Sequence, residues 1–275
     1  MDQAQATTAD HPKPGAPGGP AGGELLRLAD VTVRFGGITA VDRVTLDIPS
    51  GQVVGLIGPN GAGKTTLLDA ISGLRTPTEG RIVFDGADVT AKSASWLSRH
   101  GVRRTFQRHQ AFGWLTVRQN VLVPLEWRTR GRGLFGDVLG LPHRRRETAA
   151  LLERVDEVID LCGLSAVRDV SAATLPIGQL RLLEFARAVV DSPRLLLLDE
   201  PTSGLGQRET ELLSEVLLGL VQRHELTVIL VEHDVDFVMR LTDRVVCLVQ
   251  GAVLADGPPA EVRKNPEVIA AYLGS

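Results

Sequence analysis

The stretch GPNGAGKTT at residues 58–66 constrains the fold more than any other part of the chain. It fits the pattern G-x-x-x-x-G-K-[ST], a glycine-rich loop whose backbone N–H groups surround phosphate. An apolar run, VVGLI at 53–57, precedes it as expected for a buried strand, and residues 64–74 carry apolar side chains at helical spacing. The amino end of that helix would add a partial positive charge beside the phosphate. The sequence therefore predicts a nucleotide-phosphate site on an α/β fold.

The side chains of this loop have separable roles. Lys64 can reach the β- and γ-phosphate oxygens, and the Thr65 hydroxyl can hold Mg²⁺. The predicted phosphate-binding residues are Gly58, Pro59, Asn60, Gly61, Ala62, Gly63, Lys64, Thr65 and Thr66.

Composition and charge narrow the class of protein. The 275 residues are 43% apolar, enough for one large core or a core plus a lobe. A net charge of −3 gives no overall electrostatic reason to expect a nucleic-acid partner. Cys162 and Cys247 match no metal or redox spacing, which favours buried free thiols in a reducing compartment. The sequence has neither a run long enough to span a bilayer nor a targeting pattern, so a cytoplasmic protein is expected.

The first 23 residues are rich in Pro, Gly and Ala and almost free of large apolar side chains. Such a segment cannot offset the entropy lost on ordering, so a disordered tail is predicted for residues 1–23, with a regulatory tail as the alternative.

The segments 25–35 and 40–48 alternate apolar and polar positions, which predicts antiparallel strands with one solvated face. Residues 80–90 predict a further strand with a turn. Phe35 ends the first strand before two glycines. Its ring could stack on a nucleotide base or pack in the core, and the sequence leaves both alternatives open.

From about residue 91 to residue 173 the periodicity becomes helical, which predicts a helical lobe inserted into the α/β core. The apolar face of a helix at 148–161 would consist of Leu151, Leu152, Val155, Val158, Ile159 and Leu161. Basic residues cluster around glycines at 128–146; a solvated connection is favoured over contact with nucleic acid or lipid headgroups. Gln107 follows an apolar residue at the end of a predicted strand, and by itself it indicates little.

The second half of the chain supplies acidic and imidazole groups. Four leucines at 195–198 lead to Asp199 and Glu200, at the strand end where α/β folds bind ligands. Asp199 can hold Mg²⁺ through water or Thr65, and Glu200 can orient and deprotonate an attacking water. A second apolar run at 227–231 leads to His233, which would contact a γ-phosphate if the two strands are parallel neighbours. Residues 245–249 and 252–255 predict a closing hairpin.

Together these motifs resemble the ATP-binding subunits of ABC transporters over residues 24–275. In that family GPNGAGKTT is the Walker A loop, Gln107 the Q-loop glutamine, LLLLDE the Walker B strand with Glu200 as catalytic base, and His233 the switch histidine. Phe35 matches the aromatic residue that stacks on adenine. The resemblance implies a P-loop NTPase (RecA-like) core with an antiparallel β portion and an inserted α-helical subdomain.

The resemblance also implies an ATP-driven cycle that needs partner subunits and Mg²⁺. Two subunits, either identical or a sister pair, sandwich two molecules of ATP, with Mg²⁺ held by Thr65, Gln107 and Asp199. Hydrolysis then drives membrane permease subunits at the cytoplasmic face of the membrane, indirectly serving an external substrate-binding protein. The Gln107 region and the helical lobe would receive the permease.

Four stretches make the chain similar to the subgroup for branched-chain amino-acid uptake: RFGGITAV at 34–41, RRTFQ at 103–107, LTVRQNVLV at 115–123 and VRKNPEVIAAYLG at 262–274. Subunits for amides, urea or other hydrophobic amino acids share this appearance, so the substrate stays open.

Two departures from the family pattern concern the composite site, in which this chain would contact the ATP bound by the opposite subunit. The motif ideally written LSGGQ appears here as LPIGQ at 175–179, with Gly178 and Gln179 kept. Pro176 has neither a hydroxyl nor an N–H, and a lost donor to a developing phosphate charge costs about 3 kcal/mol. The loop SGLG at 203–206 lacks the usual terminal Asp or Asn at Gly206. These changes predict that one composite site is slow.

The expected function is that of an ATPase subunit of an amino-acid importer. One alternative is a soluble ABC ATPase acting on ribosomes or DNA, although such proteins usually carry two cassettes or a long coiled-coil insertion. The other is a regulatory nucleotide-binding module with little turnover, which Pro176 would favour.

Overall fold

The structure is a computed structural model that describes residues 23–106, 110–125 and 142–273. Apart from Gly23, the predicted tail lies outside the described residues, and so does most of the basic segment at 128–146.

The described strands form two sheets. The antiparallel sheet, in spatial order β2-β1-β4-β5, consists of β1 (Glu24–Phe35), β2 (Ile38–Pro49), β4 (Glu79–Phe84) and β5 (Ala87–Asp88). The main sheet, in order β10-β9-β3-β8-β7-β6, consists of β3 (Val53–Ile57), β6 (Val102–Arg104), β7 (Leu195–Asp199), β8 (Thr227–Val231), β9 (Arg244–Val249) and β10 (Ala252–Gly257). Its strands pair in parallel except β10, which forms the predicted hairpin with β9.

Helices cover the main sheet and fill the connections. They are α1 (Lys64–Ile71), α2 (Ala94–Arg99), α3 (Val117–Leu122), α4 (Pro142–Leu161), α5 (Ile177–Val189), α6 (Gln207–His224), α7 (Val235–Leu241), α8 (Pro259–Val262) and α9 (Pro266–Leu273).

The three central strands of the main sheet follow from their composition. Every residue of β3, β7 and β8 is buried, as expected when helices or a second sheet cover both faces of a parallel sheet. Their runs are rich in Val, Ile and Leu, so the predicted strands at 53–57, 195–198 and 227–231 are confirmed. Because these strands are parallel neighbours, their carboxyl ends meet at one edge.

The segment predicted to be helical also contains the strand whose end was predicted just before Gln107. β6 lies within 91–173 and pairs in parallel with β7, so this part of the chain belongs to the main sheet. Three residues are too few for a period-2 pattern to be distinguished from helical spacing. Beyond β6, α3 packs against α4, and an ion pair of 2.6 Å joins Arg118 to Asp156 between them.

The predicted apolar face of α4 needs one correction. Val155, Val158 and Ile159 are buried in the core shared with the main sheet, but Leu161 is 42% exposed. The next residue, Cys162, is buried in the same core, and one residue is a rotation of about 100° around a helix, so Leu161 lies off the buried face.

Candidate nucleotide site

The phosphate loop connects β3 to α1 and is shaped by its glycines. Gly58 has φ +147°, and a Cβ placed there would lie 2.1 Å from the Leu248 carbonyl oxygen. Gly63 has φ +99°, and its Cβ would lie 2.2 Å from the carbonyl oxygen of Ala40. Any side chain at either position would clash with backbone, so the loop can follow this path only with glycine.

Lys64 lies against its own loop. Its ammonium Nζ donates hydrogen bonds to the carbonyl oxygens of Gly58 at 2.6 Å and Pro59 at 2.9 Å. Burial lowers the pKa of Lys64, and the nearby charges of Glu200 and Asp199 oppose this effect. The lysine is therefore a cation already placed at the loop, and it can exchange carbonyl oxygens for phosphate oxygens.

The carboxyl ends of β7 and β8 bring two polar side chains together. Glu200 has φ +51°, in the left-handed region that non-glycine residues seldom adopt, and its N–H donates to the Val231 carbonyl at 2.9 Å. This conformation turns its side chain toward β8, where Glu200 Oε1 lies 2.7 Å from His233 Nε2. An acid and an imidazole therefore meet above the sheet edge.

These groups share one open cleft with the phosphate loop. Its lining residues are Ala40, Asn60, Gly61, Ala62, Gly63, Lys64, Thr65, Thr66, Glu200, Val231 and His233. The structure thus brings together most of the predicted phosphate loop, the predicted base and the predicted histidine.

Asp199 is buried beside this cleft and paired with an arginine. Its Oδ2 accepts from Arg104 at 3.1 Å, and the two side chains are only 3% and 5% exposed. Arg104 also donates to Asp69 at 2.6 Å and to Ser72 at 3.2 Å. Burial raises the pKa of Asp199, and Arg104 opposes this effect. Asp199 Oδ1 is buried and has no hydrogen-bond partner among the described residues.

Sequence reasoning had not assigned a role to Arg104. Its only signal was its place in RRTFQ, which carried the subgroup resemblance. A buried arginine at the end of a three-residue strand has no local pattern that would reveal its partner.

Phe35 is 41% exposed at the end of β1, so the ring is accessible rather than packed in the core. The guanidinium carbon of Arg75 lies 4.2 Å from its ring centroid, a cation–π contact that the sequence did not indicate. Phe35 does not line the cleft described above.

Gln107 lies outside the described residues, but both flanks of its segment are held by α5. The Phe106 carbonyl accepts from Arg181 at 2.9 Å. On the other side, Gln110 donates its N–H to Glu184 and accepts from Arg187 at 2.6 Å. These three side chains are spaced three residues apart and therefore lie on one face of the helix.

The LPIGQ motif forms the start of α5, with Pro176 as its N-cap residue. A Cβ placed at Gly178 would lie 2.9 Å from Glu209 Oε1, and Glu209 Oε2 accepts from the Gly206 N–H at 2.7 Å. Glu209 thus lies between the motif and the SGLG loop. Gly178 and Gln179 do not line the cleft that contains Lys64.

Both cysteines are buried and unbonded to each other, as predicted. In the part of the chain that the structure describes, no helix combines the length and apolarity needed to cross a bilayer.

Fold and cleft together define an ATP-binding cassette, and two family models match the chain. The model described as ABC transporter matches residues 41–203, and the chain belongs to this family. The model described as Branched-chain amino acid ATP-binding cassette transporter matches residues 252–275. The predicted family and its α/β P-loop fold are confirmed, and the chain is an ATP-binding, ATP-hydrolysing subunit.

Two curated relatives resemble this chain over most of its length. The chain is 40% identical over 250 residues to the high-affinity branched-chain amino acid transport ATP-binding protein BraF of Pseudomonas aeruginosa. The aligned region covers 91% of this chain and 98% of BraF. The chain is 39% identical, with the same coverage, to the protein LivG of Escherichia coli strain K12, which carries the same description.

Solved structures agree with this assignment. A nucleotide-free ATP-binding cassette from an ABC transporter matches with a TM-score of 0.78 and 27% identity, covering 92% of this chain and 100% of that one. A dimeric cassette in a post-hydrolysis state bound to ADP and Pi matches with a TM-score of 0.71 and 26% identity, covering 86% and 99%.

Proposed function

We propose that this chain energises an importer of branched-chain or other hydrophobic amino acids at the cytoplasmic face of the membrane. The observation that carries this proposal is the 40% identity to BraF over nearly the full length of both chains. The match of residues 252–275 to a branched-chain family model supports the same substrate class. Its partners are then membrane permease subunits, a second ATPase subunit and, indirectly, a substrate-binding protein; no nucleic acid is expected.

ATP would be held at two points, the described cleft and the exposed ring of Phe35 outside its lining. Residues 58–66 surround the phosphates, with Lys64 releasing the carbonyl oxygens of Gly58 and Pro59 to take up β- and γ-phosphate oxygens. Phe35 would stack on the adenine with its exposed ring face, while Arg75 supports the ring.

The residues near the phosphate loop also fit Mg²⁺. Asp199 Oδ1 is a buried acceptor without a partner among the described residues, and Thr65 lines the adjoining cleft. Mg²⁺ is usually held by one or two carboxylates together with substrate phosphates and water, which suits Asp199 as the carboxylate, with Thr65 and Gln107 as neutral ligands. When bound, the ion would neutralise charge on the transferred phosphoryl group.

Hydrolysis would use the contact between Glu200 and His233. Glu200 accepts a proton from the attacking water, and His233 at 2.7 Å fixes the orientation of the carboxylate. The half-exposed imidazole can exchange Glu200 for a γ-phosphate oxygen as the acceptor of its Nε2 hydrogen, which would make the alignment of the base depend on the phosphate. A positioned base of this kind contributes about 10²–10⁴ in rate.

The second candidate function, a module with little turnover, rests on the start of α5. Pro176 offers no donor there, and the Glu209 carboxylate lies against Gly178, where a phosphate from a partner subunit would approach. We propose that Gly178 and Gln179 still receive the partner's ATP, but that this composite site is slow and the other site supplies most turnover.

We also propose a division of the chain in line with the family. Residues 1–23 form a tail, residues 24–275 form the ATPase domain, and the helical part at about 91–173 faces the permease. β6 attaches the beginning of this range to the main sheet, so the lobe proper starts after Arg104.

Transport in a reconstituted system tests the proposal. The chain is co-purified from its native membrane, the accompanying proteins are identified, and the complex is placed in vesicles loaded with ATP. Uptake of leucine that disappears in Glu200→Gln but persists in Glu215→Gln, an exposed acid on α6, is expected. Recovery of ribosomal or DNA-repair proteins without a permease would overturn the importer. Equal hydrolysis by Glu200→Gln and the unaltered complex would overturn the role of Glu200.

A further inference from the structure

The C-terminal helix α9 reaches the phosphate loop through one side chain. The Gly58 N–H donates a hydrogen bond of 2.7 Å to the phenol oxygen of Tyr272, 214 residues later in the chain. Tyr272 packs against the main hydrophobic core and is the one tyrosine of the sequence. The ring is thus anchored in the core while its hydroxyl end holds the beginning of the loop.

Three contacts fix the backbone of Gly58. Its N–H is bound by Tyr272, its carbonyl oxygen accepts from Lys64 Nζ at 2.6 Å, and its Cα faces the Leu248 carbonyl of β9. Because Gly58 has no side chain, its orientation depends on these backbone contacts. Tyr272, Gly58 and Lys64 therefore form a continuous connection from α9 to the phosphate-binding ammonium.

Loss of the phenol oxygen would act more strongly on the nucleotide-bound loop than on the free loop. A buried N–H without a partner is unfavourable, and a free glycine loop can turn it toward water. A loop that surrounds phosphates cannot make this adjustment without displacing its own amide groups. The cost would then appear as weaker nucleotide binding.

We propose that Tyr272 is a positioning residue for the phosphate loop, so that the hydrogen bond from the Gly58 N–H to its hydroxyl sets the affinity for nucleotide. This inference rests on the proposed use of residues 58–66 and Lys64 in phosphate binding. It also gives a role to the C-terminal segment, since Tyr272 lies within the residues matched by the branched-chain family model.

Titration calorimetry with ADP on the full-length chain tests the proposal. Tyr272→Phe keeps the ring and removes the hydroxyl, and about fivefold weaker binding is expected, equal to about 1 kcal/mol at 1.4 kcal/mol per tenfold. Val268→Ala is the matched control. Val268 is buried on the same helix, and none of the described hydrogen bonds joins it to the phosphate loop. It should lower the melting temperature while ADP affinity stays within twofold.

A second readout uses the single tyrosine. Fluorotyrosine incorporation should give one ¹⁹F resonance from Tyr272, and this resonance should shift during the ADP titration. A resonance that does not respond to saturating ADP would count against the connection.

Two other outcomes separate the possible failures. If Tyr272→Phe binds ADP within twofold of the unaltered chain while Lys64→Ala loses binding, the positioning role is wrong and the phosphate site is right. If Lys64→Ala binds ADP as tightly as the unaltered chain, the proposed site itself is wrong and the role of Tyr272 falls with it.

Discussion

Replacing Arg104 with methionine should destabilise the protein far more than the same change at the surface. Arg104 and Asp199 are 5% and 3% exposed, so the substitution leaves a carboxylate buried without its guanidinium partner. Removing one partner of a buried ion pair costs about 3–5 kcal/mol. Methionine preserves much of the apolar stem, which limits the loss from packing.

Arg27→Met provides the comparison. Arg27 and Asp47 are 54% and 59% exposed and 3.5 Å apart, and an exposed pair contributes less than about 1 kcal/mol. With a slope of about 2–3 kcal/mol per molar urea, Arg104→Met should lower the unfolding midpoint by about 1 M or more, and Arg27→Met by less than about 0.5 M.

Equilibrium unfolding in urea, followed by far-ultraviolet circular dichroism, measures both shifts. A double-mutant cycle with Asp199→Asn then isolates the pair, and a coupling of about 2 kcal/mol is expected because the neutral amide no longer needs a counter-ion. A loss no larger than that of Arg27→Met, or a coupling below about 0.5 kcal/mol, would refute the idea that Arg104 stabilises the buried carboxylate.

Three further predictions concern the site and the thiols. His233→Ala should lower kcat for ATP hydrolysis at least about tenfold while the Kd for ATP changes less than threefold, as measured by phosphate release and calorimetry; a loss confined to binding would contradict its role at the proposed base. Gly58→Ala should unfold at a much lower urea concentration than Gly61→Ala. A Cβ at position 58 would lie 2.1 Å from a carbonyl oxygen of β9, whereas a Cβ at position 61 would have no described atom within 4 Å. Equal unfolding midpoints would contradict this close approach. Burial raises the pKa of Cys162 to about 12 and that of Cys247 to about 11, so at pH 8 about one Cys162 thiol in 10⁴ and one Cys247 thiol in 10³ is ionised. Iodoacetamide should therefore label both thiols only after unfolding. Rapid labelling of the native chain would contradict their burial.

The phosphate loop was predictable because its information is local. A strand, a glycine-rich turn and a helix in that order specify both the fold and the ligand, and residues 53–71 form this arrangement. The two apolar runs that lead to Glu200 and His233 were also predicted from local sequence. Whether these strands are parallel neighbours was left as a condition, and the parallel pairing of β7 with β8 in the structure meets it, so the residues that follow lie at one edge.

Short or isolated elements were less predictable. For β6 the sequence predicted only a strand end before Gln107. Its three residues are too few for a periodic signal, and its pairing with β7 was found in the structure. Leu161 was assigned to the apolar face of α4, yet it is exposed because it lies about 100° around the helix from the buried Cys162.

The sequence by itself thus determined the family and the phosphate loop, and it placed Glu200 and His233 after apolar strands, since each of these depends on neighbouring residues. Only the tertiary structure decided that Arg104 neutralises Asp199 and that Tyr272 holds Gly58. These partners are 95 and 214 residues apart, and their pairing depends on how the sheet and the C-terminal helix pack. Such contacts leave no pattern in the local sequence, because either partner alone would also suit an ordinary exposed position.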